Sequence, residues 1–220
     1  MKKIIQLFVL VIFFEIICIS SSFSSHIIGS DLSWKCVGND SFLITLEIYR
    51  ECNGVPIGNE SINFLNAIND TTLFSVSIIK PSSIDITPTC NIVTTRCQHK
   101  SSPFVFGIEK YVYQKVVSFS SIGNVCNIRM EYYQCCRPAG ISNTEYCSFF
   151  TSAELNRCLT PCDNSPVFTN EPATIVCINQ HFIQSMGTIE LDTQHGIGLI
   201  DSLSFELVHP RKERNASCPY

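Results

Sequence analysis

The sequence of 220 residues has little charge and no long run of one sign. Only 15% of its residues are charged, the net charge is −4, and the longest basic group is Arg211-Lys212-Glu213-Arg214. A run this short is typical of a solvated loop, so we expect no nucleic-acid partner. The low charged fraction and frequent asparagine suit an extracellular β-protein with neutral polar loops.

Motifs of common catalytic sites are also missing. The chain has no Gly-x-Ser-x-Gly, no His-Glu-x-x-His and no phosphate-binding glycine loop. Its histidines stand in unrelated contexts, at His26, His99, His181, His195 and His209. The glutamates considered for a carboxylate pair are Glu47, Glu51, Glu109 and Glu131. Solvent-facing strand positions explain these glutamates more simply, so we predict no enzyme and no cofactor.

Zinc-binding groups are incomplete. Structural zinc sites need closely spaced Cys or His residues in matched groups. Only Cys158-x-x-x-Cys162 and Cys97-Gln98-His99 come near this pattern, and neither has a matching second group. The sequence therefore predicts no zinc site.

Long hydrophobic runs are limited to one, Ile4 to Ile19, near the N-terminus. Lys2 and Lys3 precede it and a serine-rich stretch follows, which is the pattern of a secretory signal peptide. The run contains Glu15 and is shorter than the ~20 apolar residues of a membrane span. We predict a signal peptide over residues 1–24 and a secreted or cell-surface mature chain with no membrane span.

Cysteine, by contrast, is abundant. The chain has 13, and removing Cys18 with the signal peptide leaves 13 − 1 = 12, an even number. In an exported protein this indicates disulfides, each contributing roughly 2–4 kcal/mol. The predicted disulfide cysteines are Cys36, Cys52, Cys90, Cys97, Cys126, Cys135, Cys136, Cys147, Cys158, Cys162, Cys177 and Cys218. We expect no free thiol in the mature protein.

Alternating residues predict β-strands. In Ser41–Tyr49 the even-numbered positions are apolar, and Gly38-Asn39-Asp40 before them is a turn signal, so Asp31–Val37 and Ser41–Tyr49 form a hairpin. Pairing from this turn places Cys36 opposite Phe42, so Cys36 and Cys52 both need partners from elsewhere. Further strands are predicted at Ser61–Phe64, Leu73–Ile79, Phe104–Ile108 and Tyr111–Ser118. We expect Thr151–Cys158 to form at most a short helical turn.

One stretch, Cys126–Asn143, is predicted to be a structural hub. Ile128, Met130 and Tyr132 alternate with polar residues, and the strand then reaches Cys135 and Cys136 before a Pro-Ala-Gly turn. Because neighbouring strand residues point to opposite faces, the two cysteines are expected to bind two different partners. The alternative is that they form a vicinal pair.

These short strands predict an all-β chain, with a disulfide-rich β-sandwich over residues 25–162. Cys158 to Pro166 is interpreted as a junction. Residues 163–220 follow as a partial immunoglobulin- or cadherin-like β module, with strands at Val167–Phe168, Thr174–Ile178 and Leu203–Val208. About 58 residues are fewer than the ~100 of a complete immunoglobulin-like sandwich, so this module is either abbreviated or cut short, and we favour the second.

Several segments, in this order, resemble a known family. They are Ser25-His-Ile-Ile-Gly, Leu46-Glu-Ile-Tyr-Arg-Glu-Cys, Gly107-Ile-Glu-Lys-Tyr-Val-Tyr, Tyr133-Gln-Cys-Cys-Arg-Pro-Ala-Gly-Ile-Ser-Asn, Asn164-Ser-Pro-Val-Phe and Cys177-Ile-Asn-Gln. The chain is similar to the N-terminal region of large secreted surface proteins of Bacteroidetes, which often end in a gliding-motility-associated C-terminal sorting domain. This resemblance implies a surface location and a role in adhesion or gliding motility.

The second module of that family tends to carry Asp-x-Asp-Gly-Asp-Ser-Leu, resembling cadherin-like repeats. Here only Asp192, Asp201, Ser202 and Leu203 match it. Calcium needs several oxygen ligands close together. We therefore predict no metal site, with calcium near Asp192 and Asp201 as the alternative.

Two function hypotheses follow. The first is a non-enzymatic structural or adhesive module that contacts a protein or glycan at the cell surface. The alternative is a carbohydrate-binding module with an aromatic platform formed by Trp34, Tyr111, Tyr113, Tyr132 and Tyr133. Four Asn-x-Ser/Thr sequons, which matter only in a eukaryotic secretory pathway, begin at Asn39, Asn59, Asn69 and Asn215.

Overall fold

The computed structural model describes residues 25–89, 93–138, 141, 144, 147–171, 179, 181, 183, 185, 187–190 and 202–218. In this part of the chain the protein is all-β and sandwich-like, as predicted, with a single 3₁₀ turn at Ser120–Ile122. The first eight strands are β1 Ile27–Gly38, β2 Ser41–Glu51, β3 Glu60–Asn66, β4 Thr72–Ile78, β5 Ser83–Asp85, β6 Ile108–Ser118, β7 Asn127–Gln134 and β8 Phe149–Asn156. The predicted signal peptide lies outside the described residues.

Two antiparallel sheets of four strands form the sandwich. Sheet A has the order β1-β2-β6-β5, and sheet B has the order β4-β3-β7-β8. The predicted hairpin between β1 and β2 is confirmed, with Cys36 opposite Phe42. Its turn needs left-handed backbone at Gly38, Asn39 and Asp40, where φ is 90°, 50° and 54°. Glycine, asparagine and aspartate tolerate this conformation best.

The core lies between the two sheets and follows the predicted alternation. Phe42, Ile44, Leu46 and Ile48 of β2 are 0% exposed, as is Phe64 of β3. Three β7 residues, predicted to share one face, are also fully buried: Ile128, Met130 and Tyr132. Such side chains contribute roughly 1.5–3 kcal/mol each on burial, which makes this core the main stabilising element.

Three secondary-structure assignments within the sandwich need correction. Thr151–Cys158 is not a helical turn but belongs mostly to β8, because Phe149–Asn156 pairs along the whole of β7 and buries Leu155. Phe104–Ile108 is not a strand, because β6 begins only at Ile108. The short edge strand β5 was missed, because three residues carry too little periodicity to predict a strand.

Among the described residues, five disulfides link ten of the predicted cysteines. They join Cys36 to Cys162, Cys52 to Cys97, Cys126 to Cys158, Cys135 to Cys136 and Cys147 to Cys218. As predicted, Cys36 and Cys52 are bonded to partners elsewhere. The hub prediction was wrong for Cys135 and Cys136, since these cysteines bond to each other at the end of β7 rather than to two different partners. Cys90 and Cys177 lie outside the described residues.

Among the described residues, the C-terminal part contains two short antiparallel strand pairs. β9 (Val167–Phe168) pairs with β10 (Thr188–Ile189), and β11 (Arg211–Glu213) pairs with β12 (Ala216–Ser217). The strand predicted at Leu203–Val208 is absent, since this stretch has no pairing partner among the described residues. Thr174–Ile178 lies outside the described residues. No helix among the described residues is long and apolar enough to cross a bilayer.

The β11–β12 hairpin contacts sheet B. Arg214, in its turn, donates two hydrogen bonds to the carboxylate of Glu131 on β7, one of them 2.9 Å long. Arg137 donates to the carbonyl oxygen of Arg211 at 3.4 Å, and the Cys147–Cys218 disulfide closes the attachment. Residues 211–218 are therefore fixed to the sandwich by polar and covalent links.

Candidate ligand-binding cleft

An open cleft of about 230 Å³ lies where β1, at the edge of sheet A, passes β8 of sheet B. Strand β1 supplies Ser30 to Ser33, and β8 supplies Thr151 and Ser152. Glu47 of β2 and the segment Pro166–Phe168 complete the lining. The cleft therefore has one wall rich in hydroxyl and carboxylate groups and one apolar wall.

The apolar wall, Pro166–Phe168, is held against β1 by hydrogen bonds of the two residues that precede it. The Ser165 amide donates to the Trp34 carbonyl at 3.0 Å, and the Trp34 amide donates to Ser165 Oγ at 2.8 Å. The Cys36 amide donates to Asn164 Oδ1 at 2.8 Å, and Cys36 is also bonded to Cys162. These links hold the residues just before Pro166 against β1, the strand that forms part of the polar wall.

Charged groups on the outer face of sheet A reach the cleft. Tyr49 Oη lies 3.0 Å from Asp31 Oδ2 and 2.9 Å from Glu47 Oε2. Lys110 Nζ lies 2.8 Å from Glu47 Oε2 and 5.6 Å from the centre of the Tyr49 ring. Cross-strand pairing brings these residues together, because Asp31 stands opposite Glu47 and Tyr49 stands opposite Lys110.

Burial sets the protonation of this cluster. It raises the pKa of the Asp31 carboxyl, a rise that the Tyr49 hydrogen bond opposes and the nearby Glu47 charge supports. Burial and the charges of Asp31 and Glu47 also raise the pKa of Tyr49, so its hydroxyl stays protonated at neutral pH. The Tyr49 hydroxyl thus lies within hydrogen-bond distance of both carboxylates, and the Lys110 ammonium pairs with Glu47.

The edge of β1 presents open backbone groups to the cleft. Both backbone groups of Trp34 point away from β2, since they bond Ser165. The β1–β2 register is regular from Gly29 to Cys36, so the backbone groups of Leu32 and Ser30 point the same way. None of these backbone groups has a hydrogen-bond partner among the described residues; Ser30 Oγ also lacks one, but that atom is buried and does not face the cleft.

The aromatic platform predicted from the sequence does not form. Tyr113 and Tyr132 are 0% exposed and Tyr111 is 3% exposed, so all three belong to the core. Trp34 is partly buried and packs on the same core. Tyr133 alone of the five is an exposed aromatic, because strand alternation turns it away from the interior.

The glutamates assigned to solvent-facing positions are also placed differently. Each lies beside a basic side chain, in the pairs Glu47–Lys110, Glu51–His26, Glu109–Arg50 and Glu131–Arg214. The side chains of Glu109 and Glu131 are only 12% and 10% exposed. Both are therefore largely buried in ion pairs, and the prediction of solvent-facing positions was wrong for them.

A further buried carboxylate, Glu60, was missed by the sequence reasoning. It is 5% exposed at the start of β3, and Gln134 Nε2 lies 3.4 Å from its Oε2 atom. Burial raises the pKa of Glu60, although the nearby Tyr132 hydroxyl and the hydrogen-bonded Gln134 amide oppose the rise. Its place on the apolar face of β3, two residues before Ile62, is the signal in the sequence that could have identified it as inward-facing.

The residues considered for metal binding are used otherwise or lie outside the described part. Cys97, Cys158 and Cys162 all form disulfides. Asp192 and Asp201 are outside the described residues. Within the described part, no cluster of three or more Cys, His, Asp or Glu side chains is arranged to hold a metal ion.

Comparison with family models, with curated proteins and with solved structures finds no match for this chain.

Proposed function

We propose that this chain is a non-enzymatic structural and adhesive module, secreted or held at a bacterial cell surface as the N-terminal part of a gliding-motility-associated protein. The observation that carries the proposal is the open polar cleft on a disulfide-linked sandwich. Four of the five bridges among the described residues join positions at least 32 residues apart, which suits a protein that must keep its shape outside the cell.

The chemistry of the cleft favours binding over catalysis. A general base or nucleophile needs a free, poised group next to its partner. Here the Glu47 carboxylate is bound by Lys110, and the Tyr49 hydroxyl keeps its proton between two carboxylates. Such a cluster shapes a surface and presents hydrogen-bonding groups to a ligand.

Location and attachment test this proposal together. We expect the full chain, expressed with its own leader in a Bacteroidetes host, to be found in the medium or to be digested by protease added to intact cells. Beads coated with the purified protein should attach to host cells more often than beads coated with the reduced and alkylated protein. Retention inside the cell, or equal attachment of both bead types, would contradict the proposal.

A further inference from the structure

The exposed edge of β1, which we call the floor of the cleft, offers hydrogen-bond donors and acceptors side by side. The outward N–H and C=O groups of Ser30 and Leu32 supply both kinds, and none of these backbone groups has a partner among the described residues. Polar groups removed from water cost free energy unless a partner satisfies them. A ligand that both donates and accepts hydrogen bonds would satisfy this floor.

The remaining polar lining narrows the class of ligand. Ser33, Thr151 and Ser152 carry hydroxyls. Asp31 and Glu47 carry acceptor oxygens, and only Tyr49 and Lys110 are close enough to donate to them in the contacts described above. An anionic ligand would be repelled by the two carboxylates. A cationic side chain would pair with the carboxylates but leave the backbone N–H groups without acceptors. A neutral ligand rich in hydroxyl groups matches both sets.

The opposite wall is apolar and partly exposed. Phe168 is 47% exposed and lies with Pro166 and Val167 along the cleft. Small-molecule sites usually combine such apolar or aromatic surface with a few fixed polar groups. A sugar ring has this same division, since its C–H face is apolar and its hydroxyl edge is polar.

Size and rigidity agree with a single ring. The cleft volume of about 230 Å³ is below the range of roughly 300–1,000 Å³ for drug-sized ligands. The bonds from Asn164 and Ser165 to β1, together with the Cys36–Cys162 bridge, fix the start of the apolar wall before a ligand arrives. Such preorganisation lowers the entropy lost on binding.

From these observations we infer that the cleft binds one neutral sugar ring of a surface glycan. The ring stacks on Phe168, and its hydroxyls bond Asp31 and the β1 edge at Ser30 and Leu32. This inference rests on the proposed role as a surface contact module and names the ligand class of that same cleft.

Neutral methyl glycosides test the inference directly. We would titrate ¹⁵N-labelled full chain with the methyl pyranosides of glucose, galactose, mannose and N-acetylglucosamine. A methyl sialoside serves as the anionic probe and Nα-acetyl-arginine methylamide as the cationic probe. At least one neutral glycoside should saturate the protein and shift the amide signals of Ser30 and Leu32, and the charged probes should not.

Two variants and two matched controls locate the site. Asp31→Asn and Phe168→Ala should each weaken glycoside binding about tenfold, the effect of roughly one charged hydrogen bond or one stacking contact. Glu206→Gln and Phe205→Ala change an exposed carboxylate and an exposed aromatic ring elsewhere and should alter affinity by less than about twofold. Thermal melts of all four variants establish that each one is folded.

Three outcomes would overturn the inference: no binding of any neutral glycoside, equal weakening by the control variants, or binding of the arginine probe alone. The last would assign the cleft to a basic side chain of a protein partner. Bead attachment separates this failure from that of the proposed function. Beads that attach to cells but are not released by the methyl glycosides contradict the sugar site and leave the adhesive role standing.

Discussion

The two parts of the chain on either side of Asp163 are stabilised in different ways. Before it, β1, β2 and β6 are 11 or 12 residues long and share one buried core with sheet B. After it, the four described strands are two or three residues long. Leu207 is 99% exposed there, whereas Phe64 of the sandwich is 0% exposed.

This difference shows that links between specific atoms can fix a segment that has little core of its own. Residues 164–165 are bonded to β1, and residues 211–218 are held by the Arg214–Glu131 pair and the Cys147–Cys218 bridge. A core spreads its stabilisation over many contacts, while these attachments depend on a few. Each part should therefore respond to a different kind of mutation.

The largest effect should come from the core. Phe64→Ala removes a fully buried ring that stacks on Phe74 at a centroid distance of 4.8 Å, and we expect a loss of about 3–5 kcal/mol in the free energy of unfolding. Phe205→Ala, at a ring that is 55% exposed, should change it by less than about 0.5 kcal/mol. Urea unfolding measures both. Equal losses would mean that the second part has a core of comparable importance.

The cysteine pairs should give the next largest effect. Cys147→Ser with Cys218→Ser opens a bridge between residues 71 positions apart and should cost about 2–4 kcal/mol, with proteolysis beginning in residues 202–218. Cys135→Ser with Cys136→Ser removes a bridge between adjacent residues and should cost less than about 1 kcal/mol, because it closes almost no loop. Urea unfolding and limited proteolysis check both, and the opposite ranking would restore the predicted hub.

The smallest effect concerns pH. Because burial raises the pKa of Glu60, the folded state takes up this proton before the unfolded state does as the pH falls. Stability from this group therefore increases as the pH falls through the raised pKa, and it is complete below the usual value of about 4.3. Glu60→Gln should be more stable than the parent at neutral pH, by a margin that shrinks towards about pH 4.

Urea unfolding across this pH range measures the margin, with Glu206→Gln as the exposed control in the second part. A margin that is constant with pH would mean that Glu60 is not buried as a charged group. A control that follows the same curve would assign the effect to net charge and not to the core.

Alternation along each strand is a property of the sequence alone. The buried face of β2 and the inward face of β7 followed from it, and the turn residues Gly38–Asp40 placed the hairpin between β1 and β2. β8 did not, because its Ser, Ala, Glu and Asn residues carry little β signal and only pairing with β7 makes them a strand. Leu203–Val208 shows the converse, since alternation without a neighbouring strand left it unpaired among the described residues.

The candidate site was not predictable in the same way. The five aromatics proposed for ligand contact were obvious in the sequence, and three of them are core residues. Nothing in the sequence brings Ser30 on β1, Ser152 on β8 and Phe168 together, because these residues meet only where the edges of two sheets pass each other.

By itself, the sequence determined the all-β class, the first hairpin and the buried face of the central strands, because a period of two is a local property that burial on one face imposes. Only the tertiary structure decided the partners of the described cysteines, the contact of the β11–β12 hairpin with Glu131 of β7, and the cleft beside β1. Those features join residues far apart in the chain, and the distance between such residues depends on how the sheets pack.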